Sequence, residues 1–320
     1  MDLVELEKKA DEQFLADNME EALKSYDALF VESRNARNFP MAATAQFMSA
    51  IIRTKDITRG ILAAMILIAT WENNNIDTSP FIRKCKVLSD YATMKKNENL
   101  YNYIMLIGAE NEETLKKHAS FFTIEKIAEL NAQMPEEFKD AFHIFVAITL
   151  AKGGNYDVSI AVLKEMENGF AEENNRKGVG ITIGLMAEAC RLTQRYDDAL
   201  AQIERLKEYK EEVGEYAIYY LLGDIYLSKE DLGMAKENFE MAREKAESVE
   251  DFEGMFRSLE SLIYIAQTSN NKEDEAKYME KLEEYKQKYE EKIYAERACP
   301  EGEHEHHDEE EHLEENEPKD

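Results

Sequence analysis

The sequence predicts an all-α protein, and three observations carry this prediction. Apolar residues recur at spacings of three to four through the long segments, as on one face of an α-helix. No stretch combines the alternation of apolar and polar residues with the β-branched enrichment that is typical of a strand. Proline is absent from Glu136 to Cys299, so no residue in that region interrupts a helix by removing a backbone donor.

The prolines that precede this region mark predicted helix starts. Pro40, Pro80 and Pro135 each stand where a first helical position is expected. Ser79 precedes Pro80 as an N-cap residue, and the acidic Glu136 follows Pro135 in the first turn, where it complements the helix dipole. These signals predict short connections between many helices.

The composition excludes several classes of partner. The 320 residues include 39 Lys and Arg against 67 Asp and Glu, which gives a net charge of −28. Nucleic acid and anionic membrane surfaces repel a chain of this sign, so neither is an expected partner. An apolar content of 44% is enough for a sizeable core.

The sequence also predicts a cytoplasmic location. The N-terminus lacks the apolar segment of a signal peptide, and the longest apolar run, residues 60–71, is too short to span a bilayer. The cysteines Cys85, Cys190 and Cys299 are too few and too scattered for a disulfide framework or a structural zinc site. Free thiols of this kind suit a reducing compartment.

One segment carries a repeat motif of small and large residues. Its members are Tyr219, Leu222, Gly223, Tyr226, Ala235, Phe239 and Ala242. Gly223 and Ala235 allow two antiparallel helices to approach closely, and the large side chains fill the space around that contact. This segment resembles the tetratricopeptide repeat, which implies a right-handed superhelical solenoid of antiparallel helix hairpins that binds proteins or peptides.

Weaker units extend the resemblance over most of residues 1–290, and the helical-repeat domain is expected to cover residues 1–298. Small residues recur at positions 22, 60, 159, 199, 235 and 276, at intervals of 38 near the front and of 40, 36 and 41 near the back, where the family has about 34. The clearest repeats lie in 140–245. Residues from about 75 to 135 are irregular, and the phasing between 60 and 159, with room for two degenerate units, stays open.

Residues 272–298 are expected to form a long helix that caps the solenoid. Its apolar stripe consists of Tyr278, Leu282, Tyr285, Tyr289 and Ile293. A solenoid must cover its last hydrophobic face, and an amphipathic helix does so. The alternative is a seam for a partner helix or a dimer. We expect a monomer or a weak homo-oligomer.

The first helices of the hairpins would line a concave surface. If the repeat register is right, this surface presents Ile144, Ile148, Lys152, Glu188, Arg191, Tyr220, Asp224 and Leu227. It mixes apolar anchors with more acid than base, so it suits a basic or amphipathic partner segment. The alternative interpretation of the same residues is a solvated helix face without a ligand.

Residues 299–320 are predicted to be a disordered acidic tail, with eleven acidic residues and one lysine after position 300. The tail also contains His304, His306, His307 and His312. Imidazole and carboxylate groups together suit Zn²⁺ or Ni²⁺, so weak metal binding is one hypothesis, and a metal-handling protein is the alternative function. The competing interpretation is a solvated tail that keeps the protein soluble.

No motif in the sequence predicts an enzyme or a resident cofactor. His118 and His143 have no nucleophile in a recognisable setting beside them. The glycines Gly178, Gly180 and Gly184 do not have the spacing of a dinucleotide-binding loop, and no predicted strand precedes them. The leading hypothesis is therefore a non-enzymatic scaffold or adaptor that binds a protein segment.

Overall fold

The computed structural model describes residues 2–54, 56–73 and 78–298, and the regular structure in this part of the chain is entirely helical. The prediction of an all-α fold is confirmed. The α-helices are α1 (Leu3–Leu15), α2 (Met19–Asn35), α3 (Phe39–Arg53), α4 (Ile57–Asn73), α5 (Ser79–Met94), α6 (Glu98–Ile107), α7 (Glu112–Ala119), α8 (Ile124–Gln133), α9 (Lys139–Lys152), α10 (Tyr156–Glu172), α11 (Arg176–Leu192), α12 (Tyr196–Leu206), α13 (Lys210–Val213), α14 (Glu215–Ser228), α15 (Leu232–Ser248), α16 (Phe252–Thr268) and α17 (Lys272–Ala298). Short 3₁₀ segments lie at Glu136–Phe138 and Lys207–Tyr209. None of the described helices is both long and apolar enough to cross a lipid bilayer.

The same three-residue connection joins many consecutive helices. Its middle residue adopts a left-handed backbone conformation, and the residue that follows caps the next helix. The backbone N–H of the capping residue donates to the carbonyl five residues earlier, as from Asn175 to Phe170 at 2.8 Å. This bond satisfies a carbonyl that the end of a helix otherwise leaves free. The middle residues in the described chain are Asp17, Arg37, Lys96, Gly154, Asn174, Gln194, Glu230, Glu250 and Asn270.

These connections set the spacing of the helices. α2, α10, α11, α15 and α16 have 17 residues each, and three connecting residues bring the repeat length of one helix to 20. Two consecutive helices of this length with their connections therefore occupy 40 residues, as α10 and α11 do over residues 156–195. The longer interval that the sequence shows relative to the tetratricopeptide repeat comes from helix length, since the connections themselves are short.

Helices that are neighbours in the chain pack against each other, and so do the first helices of consecutive hairpins. α9 contacts α11, α11 contacts α14, and α14 contacts α16. In the irregular region, α5 and α6 form a hairpin with the same three-residue connection, whereas α7 and α8 have only 8 and 10 residues. The side chain of Asn155 holds this region to the next hairpin, because its Nδ2 donates to the carbonyls of Ala119 and Phe122.

The close approach of α14 and α15 depends on Gly223. A Cβ added to Gly223 would lie 2.6 Å from the ring of Phe239. The two helices pack at this point as the small-residue pattern requires. At the end of the chain, Tyr278 and Tyr285 of α17 are buried against α15 and α16, and Tyr289 contacts the ring of Phe252.

A buried ion cluster fastens α5 to α1. The ammonium of Lys84, whose side chain is 4% exposed, lies 2.7 Å from a carboxylate oxygen of Asp11 and 2.8 Å from one of Glu7. The hydroxyl of Tyr26 on α2 donates to the same Asp11 carboxylate at 2.5 Å. The cluster joins residues more than 70 positions apart in sequence, so the chain folds back on its own start.

Removal of the cation from this cluster should destabilise the fold strongly. We expect Lys84→Met to lower the free energy of unfolding by about 3 kcal/mol, because two carboxylates then face each other without a counter-charge. Lys95→Met is the matched control. Lys95 pairs with Asp17 between the connections that follow α5 and α1, but its side chain is 40% exposed, so its loss should cost less than about 1 kcal/mol. Urea unfolding at pH 7.5 measures both values, and similar losses would contradict a buried cluster.

Two glycines should respond to alanine with opposite signs. Neither Gly154 nor Gly169 has an atom within 4 Å of an added Cβ, so only the backbone decides. Gly154 has φ +82°, and Gly154→Ala should destabilise by about 1 kcal/mol. Gly169 lies inside α10, and Gly169→Ala should stabilise by about 0.5–1 kcal/mol. Thermal unfolding of both variants measures the signs, and a shared sign would show that the turn geometry is wrong.

Candidate partner-binding groove

A groove runs across the first helices of three consecutive hairpins. Its walls come mainly from α11, α14 and α16, and Leu206 of α12 with Glu212 and Val213 of α13 complete the lining. Its volume is about 610 Å³, and we call it the main groove. A second concavity of about 480 Å³, the side pocket, is lined by α9 and by residues from α4 to α7. Leu185 and Glu188 line both concavities, so the two are continuous.

Six of the eight residues that the sequence suggested for the concave surface line these two concavities. Ile144, Ile148 and Lys152 line the side pocket. Glu188, which lines both, is joined in the main groove by Tyr220 and Asp224. The structure thus brings residues from three separate hairpins onto one continuous surface.

Arg191 and Leu227 do not line either concavity. The Arg191 guanidinium donates to both carboxylate oxygens of Glu188, at 2.7 and 2.6 Å, and to the hydroxyl of Ser228 at 2.8 Å. It therefore positions Glu188 and connects α11 with α14. Leu227 packs against the apolar cluster of the last three helices.

Other lining residues escaped the sequence interpretation. The apolar ones are Ile181, Leu185, Leu206, Val213, Tyr216 and Leu221, the small ones are Gly180, Gly184, Ala217 and Gly254, and the charged ones are Lys177, Glu212 and Arg257. Several share a helix face with residues that were identified, since Ile181 and Leu185 precede Glu188 by seven and three positions. Extending the predicted stripe on α11 by two helical turns toward its N-terminus includes both residues. Arg257 lies on α16, which the strongest repeat units did not include.

The apolar part of the main groove lies where two apolar clusters of the core meet. Leu185 and Leu221 pack against the large N-terminal cluster, whereas Tyr216 and Tyr220 pack against the C-terminal one. The side chain of Ile181 is 43% exposed in this groove. An apolar surface that stays open to solvent at such a junction is typical of a binding site.

Asp224 is the carboxylate in the groove that has no partner. It makes no hydrogen bond or ion pair with any described residue, whereas Glu188 is paired with Arg191, and Glu212 with Arg176. Burial raises the pKa of the Asp224 carboxyl to about 6, because withdrawal from water, with the nearby charge of Glu188, disfavours the charged form more than Arg191 and Arg257 favour it. A half-buried carboxylate in this state can accept a cation from a ligand.

Glycine leaves free space in the wall of the main groove. A Cβ added to Gly184 would meet only Leu221 and Leu206, at the ordinary contact distances of 3.6 and 3.8 Å. By contrast, a Cβ on Gly180 would clash with Val213 at 2.6 Å. A Cβ at position 184 is therefore accommodated, and we expect the further atoms of a larger side chain at this position to extend into the groove.

Burial favours the uncharged forms of the described cysteine and histidine side chains. Burial raises the pKa of the Cys85 thiol to about 12 and also raises that of Cys190, so both thiols are protonated at neutral pH. Burial lowers the pKa of His118, whose Nδ1 bonds the side-chain oxygen of Asn102 at 2.8 Å, and also that of His143. None of these four residues lines the main groove or the side pocket.

The described residues contain no group of three or more His, Cys, Asp or Glu side chains that could hold a metal ion. The histidines suggested as ligands from the sequence, His304, His306, His307 and His312, lie outside the described residues, as does the whole predicted tail 299–320. Metal binding by the tail stays a prediction.

Comparisons with models of protein families and with curated proteins found no match to this chain. The resemblance to tetratricopeptide repeats therefore depends on the residues themselves. In the structure, the motif of residues 219–242 forms the antiparallel pair of α14 and α15.

Neutralisation of Asp224 should stabilise the protein. Because the folded state raises this pKa from 3.8 to about 6, the stability falls as pH rises from about 4 to 6 and stays low above that. Asp224→Asn should raise the free energy of unfolding by about 2 kcal/mol at pH 7.5, after allowance for partial exposure, and by about 0.5–1 kcal/mol less at pH 5.5.

Urea unfolding at the two pH values measures this effect. Glu260→Gln is the matched control, since it removes one negative charge from an exposed position on the neighbouring helix α16. The control should lie within about 0.5 kcal/mol of the wild type. Equal stability of Asp224→Asn and the wild type at pH 7.5 would show that Asp224 is already paired.

Proposed function

We propose that this chain is a non-enzymatic scaffold or adaptor that binds a segment of another protein in the main groove. The helix hairpins would stack as a right-handed solenoid that resembles tetratricopeptide repeats, with α9, α11, α14 and α16 on the concave side. The repeated 20-residue spacing and the contacts between these first helices support this arrangement. α17 would close the last hydrophobic face.

The observation that carries the proposal is the unpaired Asp224 carboxylate inside a groove with exposed apolar side chains. In a folded protein, a carboxylate is normally either paired or exposed to water, because a buried unpaired charge is destabilising. A ligand that supplies a cation removes this penalty on binding. Residues that lower stability without a packing benefit are expected at functional sites.

The lining of the groove indicates an amphipathic segment as the partner. Apolar side chains of the segment would contact Ile181, Leu185 and Leu221, and one Lys or Arg would pair with Asp224. The continuous side pocket extends the apolar surface through Ile144 and Ile148. An amphipathic helix with anchors on one face is the simplest ligand of this kind.

The unpaired cysteines support a cytoplasmic location. Cys85 and Cys190 are both free and buried, which suits a compartment where thiols stay reduced.

Selection of peptides on the whole protein tests the proposal. Random peptides of about 16 residues, long enough for a helix of about 24 Å, are displayed and selected on the full-length chain, and the enriched sequences are synthesised. We expect amphipathic peptides with at least one basic residue. Their affinity for the wild type is then measured by fluorescence anisotropy.

Two variants test where these peptides bind. Gly184→Leu fills the groove and should weaken binding by about tenfold or more, whereas Gly169→Leu, on the exposed face of α10, should change it less than about twofold. Asp224→Asn should weaken binding by about five- to tenfold, against no change for Glu260→Gln. Equal affinities for Gly184→Leu and Gly169→Leu would refute the groove as the docking surface.

A further inference from the structure

Two cations in the main groove have no ionic partner. Lys177 and Arg257 both line the groove, and neither forms an ion pair with a described residue. The guanidinium of Arg257 lies over the ring of Tyr220, 4.6 Å from its centroid, and this contact orients the guanidinium without neutralising it. Glu212, a carboxylate that lines the same groove, is paired with Arg176. The charges of Lys177 and Arg257 are therefore available to a ligand.

The helices α11 and α14, which carry most of the groove, run parallel. At the start of α11, Arg176 pairs with Glu212, which lies three residues before α14. Near the end of α11, Arg191 donates to the hydroxyl of Ser228, the last residue of α14, at 2.8 Å. Since the order of these contacts is the same along both helices, the two N-terminal ends are neighbours.

α16 runs in the same direction as α14. Tyr216 lies in the first turn of α14 against Gly254, where an added Cβ would be 3.0 Å from its ring. One turn later, Tyr220 lies under the guanidinium of Arg257, and its hydroxyl is 3.4 Å from that of Ser261. The N-terminal ends of α11, α14 and α16 therefore lie on the same side of the groove.

The unpaired cations and the unpaired carboxylate lie at different levels of these helices. Lys177 precedes Arg191 by fourteen residues and Asp224 precedes Ser228 by four, so Lys177 and Asp224 are about ten residues of helix, or roughly 15 Å, apart along the helix axes. Arg257 lies at an intermediate level. The groove thus presents unpaired positive charge toward the N-terminal ends of its helices and unpaired negative charge at Asp224.

This arrangement discriminates between basic ligands. A net charge of −28 attracts basic segments of any sequence, so attraction of this kind does not select a partner. Within the groove, Lys177 and Arg257 oppose it, because a basic side chain placed beside either of them faces a like charge. An acidic side chain in the same place forms an ion pair instead. Repulsion of the wrong ligand is a recognised source of specificity.

We propose that the main groove takes a bipolar segment, in which an acidic side chain pairs with the cations Lys177 and Arg257 while the basic side chain pairs with Asp224, and that the same cations reject polybasic segments. This inference depends on the function proposed above and adds the acidic residue and the discrimination. A separation of roughly 15 Å suits a helix that lies along α11 with the two charges about ten residues apart, and also a helix that lies across α11 with them on opposite flanks.

Double-mutant cycles on the full-length protein test the pairing. The selected peptides are synthesised with each charged residue replaced by Gln in turn, and fluorescence anisotropy measures their affinity for the wild type, Lys177→Met, Arg257→Met and Asp224→Asn. We expect one acidic position to couple to Lys177 or Arg257 by about two- to fivefold, as exposed ion pairs do, and a basic position to couple to Asp224. Lys164→Met, an exposed position on α10, is the control and should couple to neither.

Reversal of the acidic residue tests the discrimination. Its replacement by Lys should weaken binding to the wild type about five- to tenfold. The double variant Lys177→Met/Arg257→Met should reduce this loss to less than about twofold. Lys164→Met/Lys286→Met removes the same net charge at exposed positions outside the groove, on α10 and α17, and should leave the loss as it is in the wild type. Equal losses in the two double variants would overturn the proposal.

Two further outcomes would overturn it. One is a set of groove-binding peptides without any acidic residue, and the other is acidic positions that couple to Lys164 as strongly as to Lys177 and Arg257. Failure of the proposed function gives a different result, because the peptides then ignore Gly184→Leu and no basic position couples to Asp224. That result overturns both proposals, whereas the loss of the acidic couplings alone overturns only the bipolar partner.

Discussion

The architecture depends on one backbone constraint, the three-residue connection with a left-handed middle residue. Its hydrogen bond from the capping residue to the carbonyl five residues earlier ends one helix and orients the next in the same way each time. Most of the middle residues, such as Arg37 and Gln194, are not glycine, so each repeat of the geometry opposes an intrinsic preference of the backbone. Burial of the helix faces outweighs that preference. Between α12 and α14 the chain departs from this connection and passes through the 3₁₀ segment Lys207–Tyr209, α13 and Gly214.

Charged side chains have opposite effects on stability in the groove and in the buried cluster near the N-terminus. Lys84 is buried with two carboxylates and a tyrosine hydroxyl around it, so its charge contributes to the closure of the fold. Asp224 is half-buried with no hydrogen-bond partner, and its charge opposes folding. The charge of Lys84 is balanced by carboxylates of the same chain, whereas Asp224 has no such partner among the described residues. This contrast distinguishes a structural charge from a candidate recognition charge.

The sequence predicted the structural features that residues close together in the chain determine. Helical periodicity predicted the helices, and small residues such as Gly223 identified where two neighbouring helices touch. The register of the strongest repeats placed Tyr220 and Asp224 on one surface. The contact of Lys84 with Asp11 was not predictable, because helix periodicity contains no information on which distant helix packs against α5. Arg257 was missed because the motif match weakens after residue 245, although the geometry of the connections continues unchanged to Asn271.

That continuity has a consequence for how such a chain can change in length. Asn155 and Arg195, one hairpin apart, have nearly the same backbone angles, −88° and 64° against −91° and 64°. A segment cut between equivalent capping residues therefore begins and ends in one conformation, and duplication or deletion of 40 residues leaves both junctions unstrained. Gene-level duplication would lengthen the row of packed helices by whole hairpins, so the area of the surface that these helices form becomes a countable property of the chain.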